Sequence, residues 1–242
     1  MKKLMIAGVA ALTAAVSFGI ESANIVGYAQ AALEEGFVAR GVSFLPVNGG
    51  KYNLQDIKVV GYTGENADTV NIQILDNMGY PKATYYWADI PNDGIYGWLD
   101  AAEEVPKNVE VAAGDGLWVN SEDATLSLQA AGTVAATDVQ VELAADGFKM
   151  VSNPMPVAIN LQDIVVGGYT GANADTVNIQ ILDNMGYPKA TYYWADLPDD
   201  GIYGWLDAAE EVPKNVEVAI GDALWVYCAE AGFSLKFESP LK

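Results

Sequence analysis

Residues 53–120 recur at 160–227 with a constant shift of 107 and only eight substitutions. The differing pairs are Lys58/Val165, Val60/Gly167, Glu65/Ala172, Ile90/Leu197, Asn92/Asp199, Ala113/Ile220, Gly116/Ala223 and Asn120/Tyr227. A weaker match continues upstream, where NIVGYAQAALEEGFV at 24–38 aligns with AATDVQVELAADGFK at 135–149. The unit therefore spans 24–132 and again 133–242. At roughly 110 residues it is long enough to bury a core of its own, so a domain has been duplicated and not a short solenoid repeat. The leading part of the unit has drifted while the following part has barely changed. Either partial sequence exchange has kept the middle alike, or the middle meets the same thing twice.

Inside the unit the periodicity is that of strands. In Thr69 to Leu75, Val70, Ile72 and Ile74 alternate with Thr69, Asn71 and Gln73, the pattern of a half-buried strand. Asp76 to Gly79 supply turn chemistry and Tyr80 to Trp87 follow as an aromatic strand, which predicts a hairpin. Pro91 to Gly94 mark the next turn, and Ile95 to Leu99, Val109 to Ala112, Leu117 to Val119 and Leu126 to Leu128 read as further short strands. Single helical turns are expected only at Leu54 to Ile57 and Ala101 to Glu104. Strands with turn signals at this spacing predict an all-β fold, two tandem antiparallel β-sandwich or barrel-like domains.

The segment 1–19 carries Lys2 and Lys3 and then an uncharged, Ala- and Val-rich run to Gly19. It reads as a secretory signal peptide, with cleavage after Gly19 or after Ala23. The apolar run of about 16 residues is short of the ~20 needed to cross a bilayer, although an uncleaved anchoring helix is the competing reading. A secreted or cell-surface location follows, with no membrane attachment after signal removal. The net charge is −20, with twelve Lys and Arg in all, which excludes nucleic acid and anionic membranes as partners. Cys228 is the only cysteine, so no intrachain disulfide forms. It follows Leu224, Trp225 and Val226, and burial is expected for it.

The segments GFKMVSNPM (147–155) and AGDGLWVN (113–120), behind a leader ending near ESANIVGY, resemble a loosely defined set of secreted bacterial β-rich repeat proteins of unassigned function. The resemblance implies a secreted or surface β module and carries no catalytic residues. The first copy departs from it, with Ser43, Phe44, Leu45 and Pro46 where the second has Ser152, Asn153 and Pro154.

The chain has no histidine, which removes the usual base of Ser or Cys nucleophile systems and the commonest zinc ligand. No Gly-x-Ser-x-Gly or phosphate-binding loop is present, and most acidic residues sit at turns, where Asp serves the backbone. An enzyme is not expected. The strongest feature is aromatic: Tyr85, Tyr86, Trp87, Tyr96 and Trp98, repeated as Tyr192, Tyr193, Trp194, Tyr203 and Trp205. Alternation places Tyr85 and Trp87 on one face and Thr84 and Tyr86 on the other, so one set fills a core while the other meets a partner. Asp89, Asn92 and Asp93, with Asp196, Asp199 and Asp200, offer oxygen ligands that calcium would accept, against simple solvated turns. No other cofactor is implied.

The reading is a non-enzymatic extracellular structural protein whose domains associate with copies of themselves in a fibre, layer or matrix. Head-to-tail packing is the expected geometry, with an assembly strand around Ile25, Val26 and Tyr28 left without a preceding domain. The alternative is a carbohydrate-binding or adhesive module using the same aromatics.

Overall fold

The computed structural model describes residues 26–47, 50–62, 69–100, 105–168, 176–207 and 213–241. The segment 1–19 read as a signal peptide, Ile25 and the turn expected at Ala101 to Glu104 lie outside these residues. The first repeat runs β1 (Val26–Ala32), β2 (Gly36–Gly41), β3 (Tyr52–Asn53), β4 (Lys58–Val60), β5 (Val70–Leu75), β6 (Pro81–Ile90), β7 (Ile95–Asp100), β8 (Glu110–Val111), β9 (Gly116–Ser121) and β10 (Ser127–Thr133). The second runs β11 (Val139–Glu142), β12 (Gly147–Ser152), β13 (Ile159–Asn160), β14 (Val165–Gly167), β15 (Val177–Leu182), β16 (Pro188–Leu197), β17 (Ile202–Asp207), β18 (Glu217–Val218), β19 (Ala223–Cys228) and β20 (Ser234–Phe237).

Each repeat builds the same three antiparallel sheets: orders β2-β9-β5-β6-β7, β1-β10-β4 and β3-β8 in the first, β12-β19-β15-β16-β17, β11-β20-β14 and β13-β18 in the second. No sheet mixes strands of the two repeats. The chain is thus all-β, and the sheets of a repeat wrap one core. In the first, Val70, Ile72, Trp87, Trp98, Leu117 and Val119 of the large sheet meet Leu128 and Ala130 of β10, Val59 of β4 and Tyr52 of β3. The second has its own core of the same plan. Thr133 belongs to the first repeat, exchanging backbone hydrogen bonds with Leu45 at 2.8 and 2.9 Å, and Ala135 is already in the second core.

The expected hairpins are present, with two differences of extent. β6 continues past Trp87 to Ile90, because Ala88, Asp89 and Ile90 pair with Gly97, Tyr96 and Ile95. β10 continues from Leu128 through Ala130, Ala131 and Gly132 to Thr133, all paired to β1. Ala and Gly are poor strand formers, and pairing overrides their preference.

The expected helical turn is a single 3₁₀ turn, Leu54–Asp56, repeated at Leu161–Asp163. Asn53 and Asp56 close a capping box around it, as do Asn160 and Asp163. This turn aims Gln55 at the outer edge of β7. Gln55 Nε2 donates to Trp98 O and Lys107 O, both at 2.8 Å, and Trp98 N donates to Gln55 Oε1 at 3.0 Å. Gly97 leaves the room: a Cβ there would stand 2.1 Å from Gln55 Oε1, at φ +131°. Gln162 and Gly204 repeat the device against β17. Both large sheets therefore end in an edge whose central backbone groups are already bonded.

The other end of each large sheet meets the opposite repeat, and the contacts are reciprocal. Phe37 N donates to Asn184 O at 3.0 Å and Phe148 N to Asn77 O at 2.7 Å; Gly41 N donates to Gly221 O at 3.0 Å and Ser152 N to Gly114 O at 2.8 Å. Phe37 stacks on Trp118 and Phe148 on Trp225, with ring centroids 5.3 and 5.0 Å apart and interplanar angles of 9° and 7°. Trp118, Met150 and Trp225 are buried together between the repeats. Such exchange of like for like is what a two-fold rotation between the repeats requires. Within the chain each repeat thus covers the same face of the other. The copies align differently from the expectation at the Asn-Pro segment: Gly41 pairs with Gly116 as Ser152 pairs with Ala223, so Val42, not Phe44, stands at the place of Asn153.

Candidate functional site

The aromatic residues divide by face as alternation demands. Trp87 pairs with Trp98, and Tyr85, two residues from Trp87, lies on the same side. Trp87, Trp98, Trp194 and Trp205 are fully buried. Each tryptophan pair meets edge to face with centroids 5.2 Å apart, and Trp98 Nε1 and Trp205 Nε1 each donate at 2.7 Å, to Ile57 O and Ile164 O. These four rings are core, and no flat tryptophan face is presented to solvent from this cluster.

Tyr96 and Tyr203 lie at the rim of that core face, half-exposed, each against the edge of Trp87 or Trp194 at 5.1 and 5.0 Å. In the first repeat Lys58 Nζ sits 4.9 Å from the Tyr96 ring centroid. Val165 takes the place of Lys58 in the second repeat, so the two rims differ chemically. Tyr85, Tyr86, Tyr192 and Tyr193 are partly buried.

The most exposed duplicated apolar side chains are elsewhere, at the tips of the β5–β6 and β15–β16 hairpins. Met78 and Tyr80 are 64% and 67% exposed, and Met185 and Tyr187 are 72% and 64% exposed. The tips are rigid because Asp76 Oδ1 accepts from Met78 N and Tyr80 N, both at 2.9 Å, and Asp183 does the same for Met185 and Tyr187. They are also docked, since Asn77 O and Asn184 O accept the hydrogen bonds that cross to the opposite repeat. Gly79 and Gly186, at φ +88° and +86°, pass over the rings of Trp225 and Trp118, where a Cβ would stand 3.0 and 3.3 Å away. The sequence shows these tips only as turns; the alternation of Met and Tyr with Asn and Gly was the available signal.

Two equivalent clefts flank the two-fold contact, of about 650 and 310 Å³. Asp183, Glu217 and Asp222 line the first and Asp76, Glu110 and Asp115 the second. Their carboxylates are partly neutralised: Arg40 meets Asp222 at 2.8 Å and Lys149 meets Asp115 at 3.1 Å. The cation comes from a different strand position in each, which keeps the clefts from being chemically alike.

The acidic turns close on themselves. Asp93 N donates to Ile90 O at 3.1 Å, and Pro198–Asp200 forms a 3₁₀ turn ended by Gly201. Among the described residues no three His, Cys, Asp or Glu side chains are grouped where they could hold a metal ion, so the carboxylates of Asp89, Asp93, Asp196, Asp199 and Asp200 belong to no such group; Asn92 lies in the first of the two turns. Cys228 is buried, its Sγ donates to Glu230 O at 3.0 Å, and burial pushes its thiol up. Val26 and Tyr28 lie in β1, which pairs along its whole length with β10 of the same repeat. No helix among the described residues is long and apolar enough to cross a membrane. No protein-family model, no curated protein and no solved structure matches the chain.

Proposed function

We propose that this chain is exported and acts as a non-enzymatic structural unit of a surface or extracellular assembly, joined to copies of itself through surfaces the duplication presents twice. One observation carries the reading. The exposed tips Met78–Tyr80 and Met185–Tyr187 are identical in sequence, although nothing in the packing of a repeat requires identity at solvent-facing positions. Tyr and Met are favoured at protein interfaces, and a unit with two like patches related by a two-fold axis is bivalent, so pairing of tips between molecules propagates a chain or a layer. The basic and apolar leader at 1–19 supports export.

Sedimentation and electron microscopy of the exported, purified protein test this. The expected result is particles that grow with concentration and revert to the single chain when Met78, Tyr80, Met185 and Tyr187 are all changed to Ser, with the melting temperature unchanged. Persistence of the same particles in that variant overturns the role of the tips, and a monomer at every concentration overturns self-association.

The second reading, a carbohydrate-binding or adhesive module, rests on Tyr96 and Tyr203, rings braced edge-on by buried tryptophans. Glycan-dependent changes in the environment of these tyrosines, lost on Tyr203→Ala, would favour it.

A further inference from the structure

We infer that β1 is a docking edge for a second copy of this chain, pairing antiparallel with the partner's β1 across a two-fold axis; this rests on the self-association proposed above and names one contact within it. The register fixes which backbone groups are available. Thr133 turns its N–H and C=O toward Leu45, away from β1. Antiparallel pairs alternate between bonded and non-bonded, and Val26 lies opposite Thr133, so Gly27, Ala29 and Ala31 bond β10 while Val26, Tyr28, Gln30 and Ala32 point outward. The Arg40 Nε hydrogen bond to Ala32 O at 2.8 Å agrees with this phase. The outward backbone groups of Val26, Tyr28 and Gln30 have no partner among the described residues.

The equivalent edge of the second repeat is guarded. β11 is four residues long against seven for β1. It carries Glu142, whose carbonyl accepts from Lys149 Nζ at 3.2 Å, and Asp138 stands just before it, paired with Lys236 at 2.9 Å. Charges and shortness are what keep strand edges apart. β1 is longer and bears no charge of its own: from Val26 to Leu33 there is no Asp, Glu, Lys or Arg, Tyr28 is 70% exposed, and only its last outward carbonyl, Ala32 O, is capped by a cation, Arg40, as Glu142 O is by Lys149. In a chain of net charge −20, an edge without carboxylates is where a second copy approaches with least repulsion. Self-pairing centred on Tyr28 opposes Tyr28 to Tyr28 and Val26 to Gln30 on either side. Each opposed position exchanges two hydrogen bonds, and the two three-stranded sheets become one of six.

Cysteine cross-linking of the full exported chain reads this contact directly. Opposed bonded residues sit about 5.5 Å apart at Cα, within disulfide range, and Cys228 is buried and silent. Tyr28→Cys should give a disulfide-linked dimer under mild oxidation, at least ten times faster than Gln140→Cys on the guarded edge. Gln30→Pro, added to Tyr28→Cys, removes an outward N–H and leaves the β10 ladder intact; it should abolish the cross-link without changing the far-ultraviolet circular dichroism. Equal rates for Tyr28→Cys and Gln140→Cys, or no cross-link at all, overturn the edge pairing. If the cross-link forms in the tip variant as well, the edge contact stands and the tip contact is judged separately.

Discussion

Tyr52 separates the two repeats at the scale of a single residue. Its side chain is buried beside the first core and its hydroxyl donates to Ala131 O at 3.1 Å. Ile159 takes its place in the second, pairing with Val218 as Tyr52 pairs with Val111. Burial, and then the charge of Asp56, push the Tyr52 phenol well above the ordinary tyrosine range. A raised folded-state value means that the unfolded chain gives up this proton first. The stabilising contribution is therefore complete below a pH of about 10, the unfolded tyrosine value, and is lost as the pH rises beyond it. Tyr52→Phe should cost about 1 kcal/mol at neutral pH, through the lost hydrogen bond, and should flatten the fall of melting temperature above a pH of about 10. Parallel curves for the two proteins would show that Tyr52 does not set the alkaline limit.

At the scale of elements, the 3₁₀ turn and the edge strand it guards behave as one device. Gln162→Glu keeps the size of the side chain but replaces a donor facing two carbonyl oxygens, Trp205 O at 2.8 Å and Lys214 O at 2.7 Å, by an acceptor. With two hydrogen bonds lost and an anion against carbonyls, the expected destabilisation is about 2–3 kcal/mol by chemical denaturation. A protonated Glu donates again, so its folded-state pKa is raised, and part of the loss should be recovered as the pH falls toward the ordinary carboxylate range. A loss that is the same at pH 4 and pH 8 would place the damage elsewhere. The hairpins were legible because β5 alternates Val, Ile and Ile with polar residues, and the turn residues punctuate it. The core role of the tryptophans was half legible: alternation assigns Trp87 a side, but only the pairing of Trp87 with Trp98 puts both on the core side. β10 was not legible past Leu128, since Ala130, Ala131 and Gly132 signal a turn unless β1 and Leu45 are there to pair with them. The docked hairpin tips were hidden for a similar reason, because the rings and backbone groups they dock on belong to the opposite repeat.

The whole molecule is a two-fold pair folded from one chain, and its centre is the Trp118, Met150 and Trp225 cluster. Phe37 and Phe148 flank it, each stacked on the tryptophan of its own repeat, and Gly186 and Gly79 bring the tip of the opposite repeat onto the same rings. Neither tryptophan was singled out by the sequence as a contact between repeats: each stands between two residues of its own core, Leu117 and Val119 or Leu224 and Val226, and joins a separate cluster. The reciprocity makes a specific claim about energetics. Trp118→Ala and Trp225→Ala each remove one ring from a shared buried cluster, and by symmetry each should cost a similar amount, about 3–5 kcal/mol. Because the rings share Met150 and the packed tips, the two losses should not add, and the double variant should fall short of the sum by at least about 0.5 kcal/mol. Equilibrium denaturation of the two single variants and the double variant measures all three terms. The wild type should unfold in one transition, since each repeat buries the other's apolar face. The double variant should unfold in two, once the repeats no longer share that burial. Additive losses with a single transition retained would mean that the central cluster is packed but does not couple the repeats.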